Sequence, residues 1–178
     1  MSELIPTSTF LKAIAANYLR YQKHCILVIS ERDLGSISSP DVLAVTKDRR
    51  LIEIEVKISL DDFKKDAKKK KWEFFKFGEK CGFKTTTFAS QFYYIVPPNL
   101  KEKALEFIAH EKIGLMSYGN DISVYTKLPE VEIIKKCGKI HDGKLSIKDT
   151  IHMVRHQSGT LCSLFVALAK QEQILKNS

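Results

Sequence analysis

The sequence predicts a mixed α/β fold, one central mixed β-sheet flanked by helices, and three observations carry that expectation. Apolar runs of strand length, β-branched or alternating, are interleaved with segments whose apolar residues recur at helical spacing. The resulting order, α–β–β–β–α–β–α–β–β–α–α, buries its apolar faces most simply as a sheet covered by helices. A length of 178 residues suits one domain spanning 1–178, with 129–178 expected as a C-terminal helical extension packed on it.

Residues 7–23 place Phe10, Leu11, Ile14, Tyr18 and Leu19 on one helical stripe, after a Thr/Ser start able to cap the helix. CILVIS (25–30) is short and β-branched, as a buried strand requires, and ERDLGSISSP reads as loop from its Gly and Ser content. DVLAVTKDRRLIEIEVKIS (41–59) reads as a hairpin with an apolar first arm, a charged turn and an alternating second arm. Ser59 with Asp62 marks a helix start, and Leu60, Phe63, Ala67, Phe74 and Phe77 follow at helical intervals. EKCGFKTTTFAS is a loop, QFYYIV (91–96) a strand, and PPNL opens a helix running to about His110. IGLMSYGNDISVYTK reads as a second hairpin turning at Gly119, Asn120 and Asp121. Beyond Pro129 a basic loop is expected, then a helix from Ser146 and another from near Gly159.

Composition narrows the function classes. An apolar fraction of 44% excludes disordered and fibrous chains. No apolar run reaches bilayer length and no secretory signal is visible, so a cytoplasmic protein without a membrane partner is expected. Cys25, Cys81, Cys137 and Cys162 form no CxxC pair, which argues against zinc knuckles and iron–sulfur sites and for buried free thiols. A net charge of +8 favours a polyanionic partner, and with no basic amphipathic helix in view nucleic acid leads over membrane.

The chemistry concentrates in Asp41 to Lys57. Residues two apart on a strand share a face, so Glu53, Glu55 and Lys57 lie opposite Ile52, Ile54, Val56 and Ile58. If the apolar set faces the core, two carboxylates and an amine are displayed at a cleft or in solvent. Directly opposed hairpin residues point the same way, so Asp41 joins Glu55 only across a loop with an odd number of residues. A three-residue loop (47–49) or a five-residue loop (46–50) would pair Asp41 with Glu55 and Leu43 with Glu53. Phosphodiester hydrolysis develops charge on phosphoryl and leaving oxygens. A hard cation held by carboxylates stabilises that charge and acidifies an attacking water, and magnesium takes only one or two protein carboxylates. A lysine two residues beyond Glu55 would bring its ammonium to the same phosphate. The competing reading is a solvated hairpin face, because a D…E-x-K pattern alone is common.

The run SPDVLAV…IEIEVKISLDDFKKD…KW resembles the MmcB-like DNA repair proteins, a family of the PD-(D/E)xK nuclease superfamily. In that family an Asp-led strand precedes an E-[IV]-K-x-S strand and a helix beginning S-x-x-D-F-x-x-D-x-K-W. Ser59, Asp62, Phe63, Asp66 and the Lys71–Trp72 pair match, although about three extra residues within 67–70 precede Lys71. QFYYIVPPN resembles the family's F-Y-F-A-V-P strand, GLMSYGNDISVY its closing hairpin, and the likeness spans roughly residues 7–127. It implies a restriction-endonuclease-like sheet and a Mg²⁺- or Mn²⁺-dependent deoxyribonuclease in DNA repair or processing, with Asp41, Glu55 and Lys57 as its catalytic set. Glu31 stands at the offset of a further family carboxylate, as a third metal ligand or a surface charge. Glu53, nearer the turn, reads as a supporting or plain surface group.

Lys64, Lys65, Lys68 and Lys71, within a run of six lysines in eight residues, are candidates for holding backbone phosphates, although some must simply be solvated. Trp72 is either a base-stacking ring or core. His141, His152 and His156 read as surface or phosphate contacts. Leu161, Phe165, Val166 and Leu168 form an apolar stripe that a homodimer and packing on the same chain explain equally. The rival function is a nucleic-acid-binding module that keeps the nuclease fold without turnover.

Overall fold

The computed structural model describes residues 6–30, 40–66, 89–108, 111–159 and 162. It is a mixed α/β fold built on a six-stranded mixed sheet flanked by helices. Helix α1 (Ser8–Asn17) starts at Thr7, whose hydroxyl accepts the Phe10 N–H at 3.2 Å, and continues as a π-helical turn over Tyr18–Gln22. Strands β1 (Leu27–Ser30), β2 (Val42–Val45) and β3 (Leu51–Val56) form an antiparallel meander. Helix α2 (Leu60–Asp66) follows, its start capped by Ser59 Oγ accepting the Asp62 N–H at 3.3 Å. Strand β4 (Gln91–Ile95) pairs parallel to β3. A 3₁₀ turn (Pro98–Leu100) and helix α3 (Lys101–Phe107) then lead to β5 (Ile113–Ile122), parallel to β4, and to the antiparallel edge strand β6 (Pro129–Lys135). The sheet order is β1-β2-β3-β4-β5-β6.

Both sheet faces are covered. On one, Leu11, Ile14 and Leu19 of the first helix pack with Val42, Ala44, Ile52, Ile54, Tyr93, Ile95 and Met116. On the other, Phe63 of α2 and Ala104 of α3 pack with Phe92, Tyr94, Val96, Ile113 and Leu115. That second layer corrects the expectation that Glu53 and Glu55 look into a cleft or solvent. Every residue of β3 is buried, with Glu53 at 6% and Glu55 at 3% exposure, because a central strand covered on both faces has no wet side.

The second hairpin also departs from expectation. Gly119, Asn120 and Asp121 do not turn the chain; they lie within β5, which runs on to Ile122. The turn comes later, where Ser123 N–H donates to the Leu128 carbonyl at 2.8 Å and Lys127 adopts a left-handed φ of 60°. Between Tyr118↔Val131 and Ile122↔Pro129 the register slips, so β5 carries two more residues than β6 and absorbs the turn-forming triplet as an irregularity. Residues 129–135, expected as the start of a basic loop, are β6. Proline is tolerated as the first residue of an edge strand, and Val131 and Ile133 face the core through their alternation.

The chain resolves into two compact units, 1–144 and 145–178, so residues 129–144 belong with the sheet. In the second unit, residues 147–159 are helical from a Ser146 cap. Ser146 Oγ accepts the Asp149 N–H at 3.0 Å and donates to Asp149 Oδ2 at 2.6 Å. Gly159 is helical itself, with no break before it; Leu161, Phe165, Val166 and Leu168 lie outside the described residues. The thiols of Cys25, Cys137 and Cys162 are free, but only Cys25 is buried, whereas Cys162, on a helix, is exposed; Cys81 lies outside the described residues. Among the described residues no helix is long and apolar enough to cross a membrane.

Candidate active site

The β2–β3 hairpin decides whether Asp41 and Glu55 can meet. Its register pairs Val42 with Ile54, Leu43 with Glu53 and Val45 with Leu51, leaving the five residues 46–50 between the arms. The tip tightens further. Thr46 N–H donates to the Arg50 carbonyl at 2.9 Å, Thr46 Oγ accepts the Arg50 N–H at 2.9 Å, and Arg49 takes a left-handed φ of 65°. The loop is odd, as the site requires, and one step beyond Val42↔Ile54 brings Asp41 opposite Glu55.

The two carboxyl groups do meet. The Glu55 side chain stands near enough to Asp41 for its carboxyl, when protonated, to donate a hydrogen bond to it; Asp41 Oδ2 accepts the Val56 N–H at 2.9 Å, and Asp41 Oδ1 lies 3.1 Å from Lys12 Nζ of α1. Burial pushes the Asp41 carboxyl up, but the bonds from Glu55, the Val56 N–H and the Lys12 ammonium outweigh it and hold the group below the usual carboxylate range.

Lys57 follows at the C-terminal end of β3, its backbone N–H donating to the Ile95 carbonyl at 3.0 Å. Its side chain is buried, not displayed. Nζ donates to Asp66 Oδ1 at 3.0 Å, stands 4.0 Å from Glu55 Oε2, and lies 5.7 Å from the centroid of the Tyr94 ring. Tyr94 is beside Glu55 in the parallel β3–β4 register, and its hydroxyl donates to Asp66 Oδ2 at 2.5 Å. Burial, the adjacent Asp66 carboxylate and that hydrogen bond push the Tyr94 phenol far above its usual range, so it remains a donor. Asp66 is fully buried and serves both partners. Buried charges persist only when so paired.

The donor set suits a hard cation. Two neighbouring carboxyls, Asp41 just before β2 and Glu55 on β3, would when both are ionised match the one or two that Mg²⁺ takes, with its remaining positions left to water and substrate oxygens. Among the described residues no group of three His, Cys, Asp or Glu forms a metal-holding cluster. The Lys12 ammonium now neutralises Asp41, so an incoming cation would have to displace it.

Other candidates fall elsewhere. Lys64 and Lys65 are exposed on α2, and Lys64 Nζ lies 3.6 Å from Asp61 in an exposed i,i+3 pair. Glu31, Lys68, Lys71 and Trp72 lie outside the described residues. His141 Nδ1 accepts the Gly143 N–H at 3.0 Å, in keeping with a local loop contact. Sequence reasoning gave Lys12, Asp66 and Tyr94 no role. Asp66 did carry a signal, as a matched position in the S-x-x-D-F-x-x-D run. Tyr94 and Lys12 carried none, because their placement depends on a parallel strand pairing and on helix docking.

No family model matches the sequence, and no curated protein matches it. Among solved structures the chain is similar to a protein of unknown function from Silicibacter pomeroyi, with a TM-score of 0.59 and 16% identity, over 96% of this chain and 95% of that one. A likeness at that identity speaks for the fold alone.

Proposed function

We propose that this chain is a Mg²⁺- or Mn²⁺-dependent nuclease that hydrolyses DNA phosphodiester bonds, a PD-(D/E)xK enzyme of DNA repair or processing. The observation that carries the reading is the meeting of Asp41 and Glu55 from adjacent strands, with the Lys57 ammonium 4.0 Å from Glu55. Asp41 and Glu55 hold the cation. When bound, the cation supplies positive charge to the phosphoryl oxygens and acidifies an attacking water. Lys57 stabilises negative charge developing on the phosphate. The net charge of +8 and the exposed Lys64 and Lys65 favour a DNA backbone as partner.

The test is cleavage of labelled single-stranded, duplex and branched DNA with Mn²⁺. Wild type should cut at least one substrate, and Asp41→Ala and Lys57→Ala should each lower kcat by about 100-fold or more. No cleavage by wild type, or undiminished cleavage by both variants, overturns the proposal.

A second reading has its own observation. The carboxylates already carry protein counter-ions, Lys12 on Asp41 and Lys57 between Glu55 and Asp66. A nucleic-acid-binding module without turnover would need no other cation. Binding that falls steeply with salt but ignores divalent ions and Asp41→Ala would favour that module.

A further inference from the structure

We infer that Asp66 and Tyr94 are positioning residues, a buried clamp that sets where the Lys57 ammonium stands. Its functional consequence rests on the nuclease reading, whereas the clamp itself can be tested without turnover.

A lysine is a poor positioning element by itself, because a flexible four-carbon stem carries a point charge with three rotatable donors. Here its freedom is removed from two sides. Asp66 Oδ1 takes one Nζ donor at 3.0 Å, and Nζ stands over the Tyr94 ring, 5.7 Å from its centroid. Asp66 is in turn held by its second oxygen, which accepts the Tyr94 hydroxyl at 2.5 Å. Both anchors are themselves fixed. Asp66 lies on α2, whose Phe63 packs on the Tyr94 ring with centroids 4.8 Å apart. Tyr94 sits in β4 opposite Glu55, so one residue sets the height of the lysine against the carboxylate. With one donor spent on Asp66, the ammonium keeps two directions for Glu55 and a substrate oxygen.

Two readouts on the full-length chain test the clamp. In the first, an amine-acylating reagent is applied to wild type, Asp66→Asn and Tyr94→Phe, and modification of Lys57 is measured by mass spectrometry against exposed Lys64. The Lys57-to-Lys64 ratio should be low in wild type and rise severalfold in Asp66→Asn, with a smaller rise in Tyr94→Phe. An unchanged ratio in both variants overturns the inference; should Asp66→Asn fail to fold, Tyr94→Phe decides it, since it removes only a hydroxyl.

The second readout is Mn²⁺-dependent cleavage. Asp66→Asn should lower kcat by about 10- to 100-fold with KM unchanged, the scale expected of a displaced reacting group. In a Lys57→Ala background it should cost nothing more, because it acts through that lysine; equal losses in both backgrounds would mark Asp66 as structural only and overturn the inference. Wild type that does not cleave removes the nuclease reading and leaves the labelling ratio to decide the clamp.

Discussion

Replacing Lys57 with Met tests the buried charge network directly, because the change keeps most of the side-chain volume and removes only the charge. The Lys57 side chain is 7% exposed and that of Asp66 0%, and they meet at 3.0 Å. Without the ammonium, Asp66 retains the Tyr94 hydroxyl but loses the Nζ donor 3.0 Å from its Oδ1. Removing one partner of a buried ion pair costs about 3–5 kcal/mol. For a chain of this length that corresponds to a fall in Tm of about 6–20 °C. The double variant Lys57→Met/Asp66→Asn removes both charges and leaves a carbonyl to accept from Tyr94. It should therefore recover much of the loss, with a coupling of about 2–3 kcal/mol between the two sites. Urea denaturation of wild type, both singles and the double closes the cycle. A Lys57→Met protein within about 0.5 kcal/mol of wild type, or single effects that simply add, would refute the reasoning.

Two further outcomes follow from the same packing. Asp41 has its folded-state pKa lowered, so its contribution to stability is present above the unfolded carboxylate value of about 3.9 and is lost as pH falls through the lower folded value. The stability difference between wild type and Asp41→Asn, read by urea midpoints, should accordingly be largest near neutrality and shrink below about pH 4; a difference independent of pH would show that the Asp41 charge contributes nothing. Gly114→Ala places a Cβ 2.2 Å and 2.3 Å from ring carbons of buried Tyr93 and 2.9 Å from the Cys137 backbone nitrogen. The resulting overpacking should cost about 1–3 kcal/mol, seen as a lower thermal midpoint, and an unchanged midpoint would mean that β4 and β5 are not paired in this register.

Much of the architecture was legible because it is local. The first helix, the capped start of α2, the β2–β3 hairpin and the Ser146 cap each follow from periodicity and capping residues a few positions apart. The odd loop was legible for the same reason, since alternation of side chains allows Asp41 and Glu55 to share a face only through an odd connection. The missed turn at 119–121 shows the limit. A triplet with strong turn propensity was drawn into β5 because pairing with β6 on both sides outweighed its preference, the surplus residues being taken up by a slip in register.

Alternation in 51–58 determined that Glu53, Glu55 and Lys57 stand together, because side-chain direction along a strand depends on nothing but position. Whether that face is wet or dry was decided only by tertiary structure. Helices α2 and α3 cover it, and the parallel pairing of β3 with β4 brings Tyr94 beside Glu55, where Asp66 closes over Lys57. Those partners lie 9 and 37 residues beyond Lys57 in the chain. No spacing rule joins them; only a folded chain that must compensate every buried charge brings them into contact.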